Sequence, residues 1–402
     1  MFKNIFLIIS LISVFITSLT GSNIIINSSN EYYLDLSVSL PELNIIEKNM
    51  KDGNVYASII VPGAGSVPPG KPDIPAFGLW ILIPNSTNID VQVNLGKPEI
   101  FDEINLAPVQ PSPMDYADAP EPEFTKDLST YNTYADYPGI FAETENRMEK
   151  RGQDCTILWI YPYQYHPVEK KLSVYPDLQV SINFTGKIQP IPANLRNTIP
   201  EIYSFALNSE TVLAAEKQAE SDFSEPLTRI EGCDLLIISH PLFENAANTL
   251  ASWKKRKGFH TKVVTTDITG NQAESIDQYI VDAFYNWDIA PSYLILLGDA
   301  EYVHTQYITI HPATDYNQGY TASDLYYADI NQPADLIADM GYGRIPVNTP
   351  AQADSIIARI IRYEKEPPEL LNFYQNMTAV CYFQDNGFGY AERRFAKTSE
   401  DV

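Results

Sequence analysis

Residues 233–264 read CDLLIISHPLFENAANTLASWKKRKGFHTKVV, and the order of textures within them decides the fold of the second half of the chain. DLLIISH is a continuous apolar run, the pattern of a strand covered on both faces. Pro241 then suits a first helical turn, Phe243, Ala246, Ala247, Leu250 and Trp253 form an apolar stripe, and Gly258 lies just past the end. HTKVVTTD is a second strand. The basic run Lys254 to Lys257 ends the helix, where cations complement the negative end of the macrodipole.

Downstream the alternation continues. NQAESIDQYIVDAFYNW places Asn271 and Glu274 at capping-box spacing and Ile276, Ile280, Ala283 and Phe284 on one face, and SYLILLGDA is a third buried strand. MGYGRIPV predicts a further strand, and TPAQADSIIARIIRYEKE a helix with Thr349 as cap and Gln352 completing the box. NMTAVCYF predicts another strand, followed by the opening of a last helix. The order β-α-β-α-β predicts right-handed crossovers and a parallel sheet. A doubly wound sheet ending part-way through a helix predicts that residues 232–402 are an incomplete domain.

Upstream the texture differs. From 23 to about 187 the apolar segments are short, β-branched or aromatic and bounded by Pro, Gly and Asn, and several alternate with period two. They predict an all-β domain closed as a sandwich or jelly roll. The proline-rich and acidic stretch 106–124 has neither period and reads as a loop or extended crossing, while 188–231 is polar, carries a short helical patch and reads as a linker. At the start, Lys3, an apolar core from Ile5 to Ile16 and small polar residues after it read as a secretory signal peptide over 1–22, cut near Thr20 to Ser22, with an uncleaved anchor as the rival. No later segment is apolar enough to span a membrane.

With 402 residues, 45% of them hydrophobic, the chain has room for two or three cores. A net charge of -24 leaves too few clustered cations for a nucleic-acid partner. Cys155, Cys233 and Cys381 lack CxxC spacing, so they predict neither a zinc site nor a disulfide framework. Cys381 sits inside a predicted buried strand and reads as packing, as does Cys233, rather than as a nucleophile.

In open parallel sheets ligands bind beyond the carboxyl ends of strands. His240, Asp299 and Asp385 occupy such positions, each as a site candidate or as a turn cap. No GxGxxG or P-loop follows the first strand. Asp324, Asp329, Asp335 and Asp339 form an acidic stretch that either holds calcium or is a solvated loop; its spacing is not that of an EF-hand.

Taken together, WKKRKG, LLGD, SDLYYADI, MGYGRIPV and ARIIRYEKEP, in this order and spacing, resemble the first half of the catalytic domain of the gingipain family of secreted cysteine peptidases. PGKPDIPAFGLWILIP, INLAPVQPSP and YPYQYHPVEKKLSVYPDLQVSINF resemble that family's propeptide. The resemblance implies a β propeptide over 23–187 followed by a caspase-like α/β domain, with protein or peptide substrates and the propeptide's own catalytic domain as partners. It implies no cofactor for catalysis, and structural calcium. The family's catalytic His, in a Gly-His-Gly motif, and its Cys lie to the carboxyl side of the segment resembled, and neither motif is present in this chain. By resemblance Asp385 takes the place of an acid that orients the catalytic His. Ala396 falls where arginine-specific members carry the acid that binds substrate arginine, a departure from that pattern. Arg229, in PLTRIEG, is either the point at which the propeptide is cut or a solvated linker residue.

The resulting expectation is the precursor of an exported cysteine endopeptidase, found outside the cell or on its surface. A sortase-like or inactive surface component on the same fold is the alternative, and an exported small-molecule binder using His240 and Asp299 is a third.

Overall fold

The computed structural model describes residues 16–19, 22–62, 64–65, 67–111, 122–198, 201–221, 231–309, 320–331, 335 and 337–378. In the first half, the strands Ile16–Leu19, Ser22–Ser29, Tyr33–Ser39, Asp177–Thr185 and Asn88–Leu95 form one antiparallel sheet in that spatial order. Its period-two residues Leu34, Leu36 and Val38, with Val180, Ile182 and Phe184, are buried on one face. Opposite them lie Phe77, Leu79 and Ile81 of the strand Phe77–Leu82 and Leu158 and Ile160 of Gln153–Ile160, in the same apolar cluster. This is the expected all-β domain, two antiparallel layers over one core.

The second half is the expected parallel-sheet domain. Its elements are β1 (Leu235–Ser239), α1 (Glu244–Arg256), β2 (Thr261–Thr265), α2 (Ala273–Asn286), β3 (Tyr293–Leu297), β4 (Gly341–Ile345) and α3 (Pro350–Lys365). The four strands run parallel in the order β2-β1-β3-β4. Every residue of β1 is buried, because successive side chains enter two different cores. Leu236 and Ile238 pack under α2 with Ile276, Ile280 and Phe284. Leu235 and Ile237 face α1 and α3 through Ala247, Leu250 and Ile357. Helices on both faces explain why the strand reads as an unbroken apolar run.

Two local details differ from the sequence reading. The box opening α2 is Gln272 with Ser275, not Asn271 with Glu274. Gly270, at φ 78°, turns the chain out of the short helix Thr266–Thr269, and the cap follows two residues later. The polar segment after the β domain is also well packed. It contains the helix Ser209–Ser221, and Ile202, Ala206 and Val212 share a core with Leu82 and Cys155. The carboxamide of Asn208 both donates to and accepts from the backbone of Leu82, at 2.8 Å each way. Cys381, Asp385, Ala396 and Arg229 lie outside the described residues.

Candidate active-site framework

The carboxyl ends of β1 and β3 bring His240, Gly298 and Asp299 to one edge of the sheet. His240 caps the turn 241–243: its Nδ1 accepts from the Leu242 N–H at 3.2 Å, and its ring meets Tyr302 edge to face at 5.2 Å. Asp299 is likewise a turn builder, with Oδ1 accepting from the Ala300 N–H at 2.8 Å and its carbonyl taking the N–H groups of Tyr302 and Val303. Both side chains thus cap local backbone, through Nδ1 of His240 and Oδ1 of Asp299.

The strongest electrostatic feature at this edge joins two stretches quoted above, SDLYYADI and MGYGRIPV, through a pairing that neither shows in sequence. Arg344, near the end of β4, donates through Nε and Nη2 to the two oxygens of Asp324, at 2.8 Å each, and through Nη1 to the carbonyls of Gly298 and Val303 at 2.8 and 2.7 Å. Thr305 adds a 2.8 Å hydrogen bond to Asp324. Although burial opposes ionisation, the fork of Arg344 and the Thr305 hydroxyl hold the Asp324 carboxyl below its ordinary range. The arginine thus ties the end of β4 to the segment after β3 and to the turn that Asp324 opens. Its sequence signal is an Arg closing a strand next to an acidic loop.

Two other acids of that stretch also serve the protein itself. Asp335 accepts from the N–H groups of Glu149 and Ile337, and Asp339 from those of Arg151 and Ile330. Among the described residues no group of three or more His, Cys, Asp or Glu is placed to hold a metal. Cys155 and Cys233 are fully buried, and burial pushes both thiols up to about 12. Neither is a nucleophile at neutral pH. The described residues therefore form a scaffold for chemistry rather than a complete reacting pair.

Comparison with known proteins places this scaffold. The model of peptidase family C25 matches residues 229–401, and the C25 propeptide model matches residues 25–210. Lys-gingipain of Porphyromonas gingivalis is 25% identical over 351 residues, 82% of this chain. The chain belongs to the gingipain family. Gingipain R1 of the same organism is 20% identical over 277 residues, 68% of this chain. The chain spans 19% of the length of Lys-gingipain and 27% of that of gingipain R1. Among solved structures, the complex of P. gingivalis RgpB pro- and mature domains matches at a TM-score of 0.39 and 18% identity, over 46% of this chain and 96% of that one. A likeness that low adds no argument. Two gingipain family models in tandem, propeptide then peptidase, follow the same order as the β and α/β halves of the fold. Among the described residues no helix is long and apolar enough to cross a membrane.

Proposed function

We propose that this gingipain-family chain is the amino-terminal part of the precursor of an exported cysteine endopeptidase. The single observation that supports this reading is the tandem family match, propeptide over 25–210 and peptidase over 229–401, on a β domain followed by a parallel-sheet domain. In this reading the reaction is attack of a cysteine thiolate on a peptide carbonyl, with a histidine relaying the proton from thiol to leaving amine. The reading needs both groups from precursor sequence outside these 402 residues. Asp385 contributes by accepting a hydrogen bond from the imidazole, which fixes its tautomer and stabilises its cation. The floor tied by Arg344 and Asp324 lies at the carboxyl ends of β3 and β4, the edge at which ligands of such sheets bind.

The test begins with the gene. Its reading frame past Val402 is expected to encode Gly-His-Gly followed some thirty residues later by Cys; a stop codon directly after Val402 would overturn the peptidase reading. In the full-length product, peptide hydrolysis is expected to be abolished by thiol alkylation. Asp385→Asn is expected to lower kcat by on the order of 100-fold or more and to shift the acid limb of the pH profile. An unchanged rate and profile would remove Asp385 from the site.

A further inference from the structure

The strands Met148–Lys150 and Gln153–Ile160 of the β domain are joined by Arg151 and Gly152 alone, both at positive φ, 51° and 78°. A two-residue turn of this type suits glycine or asparagine, and an arginine there is strained unless its surroundings hold it. Here they do. Arg151 is only 2% exposed. Its guanidinium donates to Leu195 O at 3.1 Å, Pro291 O at 2.7 Å, Ala290 O at 3.0 Å and Asn197 Oδ1 at 2.7 Å. Its backbone N–H donates to Asp339 Oδ1 at 2.6 Å, and the Phe284 ring lies 5.5 Å from its guanidinium carbon.

Neighbouring contacts cross the same boundary. The Glu149 N–H donates to Asp335 at 2.8 Å, and the Lys150 ammonium donates to Ala338 O at 2.6 Å. Asn197 reaches Asp234 and Ser292 at 2.9 and 3.0 Å. Ala290, Pro291 and Ser292 precede β3, Asp234 precedes β1, and Asp339 precedes β4. Every one of these contacts is therefore at the amino end of the parallel sheet, the end away from His240, Gly298 and Asp299.

We propose that the amino end of this sheet is a docking face for the β domain, keyed by an arginine carried on a tight hairpin turn. The inference rests on reading the β domain as a propeptide. It adds a place where that domain holds the peptidase domain without touching the carboxyl-end chemistry. A desolvated arginine with every guanidinium nitrogen donating is the kind of anchor that dominates an interface. Once the chain is cut at Arg229, Leu195 and Asn197 remain with the propeptide. The peptidase side keeps two carbonyls, the Asp339 carboxylate and the Phe284 ring. That set fits an arginine on a β-turn and does not fit a lysine, whose compact ammonium reaches fewer acceptors.

The test uses the full chain with a site-specific protease sequence inserted within residues 222–230, cleaved and then diluted on a sizing column. The two wild-type pieces are expected to migrate together. Arg151→Ala is expected to weaken their association by on the order of 100-fold, and Arg151→Lys by on the order of 10-fold. Association of the Arg151→Ala pieces as tight as that of the wild type would overturn the proposal, as would wild-type pieces that part on cleavage. Should Arg151→Ala fail to fold, hydrogen exchange on the uncut Arg151→Lys chain decides. The amides of residue 151 and of Ile330, which donate to Asp339, should exchange at least about ten times faster at an unchanged melting temperature; unchanged exchange would overturn the proposal. The assay reads association only, so an enzymatically inert chain would defeat the peptidase reading and leave the docking face standing.

Discussion

Asp324 is half-buried and Asp339 fully buried, and the environments of these two acids of one acidic stretch treat them in opposite ways. Asp324 is held charged by the arginine fork, so Asp324→Ala strands a guanidinium in a site only partly open to water. Unfolding by denaturant should show a loss of about 3 kcal/mol. Asp339 is 3% exposed, and burial pushes its carboxyl from 3.8 up to about 6, with the charges of Glu149 and Asp335 adding to the effect. The folded state therefore binds this proton more tightly than the unfolded chain does. Stability should fall as pH rises from about 4 to about 6, by up to about 3 kcal/mol, and stay level above. Glu149, also raised chiefly by burial, adds a slope of the same sign. Melting temperatures of wild type and Asp339→Asn across that window check this; the variant should lose most of the slope. The acidity of the loop is legible in sequence. Its partners are not, because Arg344 lies 20 residues from Asp324 and Arg151 lies 188 from Asp339, distances that only the fold closes.

At the level of elements, α1 and α3 are clasped by one glutamate. Glu364 accepts from the Trp253 indole at 2.8 Å, Lys254 at 2.6 Å and Lys257 at 2.8 Å. Burial works against the charge, but these hydrogen bonds hold its carboxyl down at about 2, below the usual 4.5. The clasp is therefore fully present above about pH 4.5 and is lost as pH falls through about 2. Glu364→Gln should cost about 1 kcal/mol at neutral pH in equilibrium unfolding, and the difference from wild type should shrink in acid. The helices themselves are readable because their stripes and caps are local. From sequence, the basic run at the end of α1 shows only its complement to the helix dipole. Its second role needs a partner from another helix. The start of α2 differs by one residue from its sequence reading because Asn271, Gln272, Glu274 and Ser275 offer two overlapping boxes, and the turn at Gly270 chooses between them.

For the whole molecule, the change from period-two strands to strand-helix alternation is enough to separate the two halves, since each texture reports how many faces of a strand are covered. How the halves meet is not legible in the same way. The 188–231 segment reads as polar, yet Leu195 enters the core beneath α2, and Glu216, 2% exposed, accepts from the N–H groups of Asn85 and Ile191. If the precursor is cut after Arg229, amino-terminal sequencing of the mature product should begin at Ile230, and Arg229→Ala should leave the precursor uncut; a different start would displace the site. The residues that follow are already fastened. The Ile289 N–H donates to Glu231 O at 3.1 Å, and the Cys233 N–H donates to Ile289 O at 3.2 Å. Between them Gly232, at φ 139°, passes so close that a Cβ would lie 2.1 Å from Ile289 O. Maturation at that bond would be a scission without a swing: Glu231 and Cys233 are moored to Ile289 ahead of β1, so the cut leaves the start of the sheet where it was.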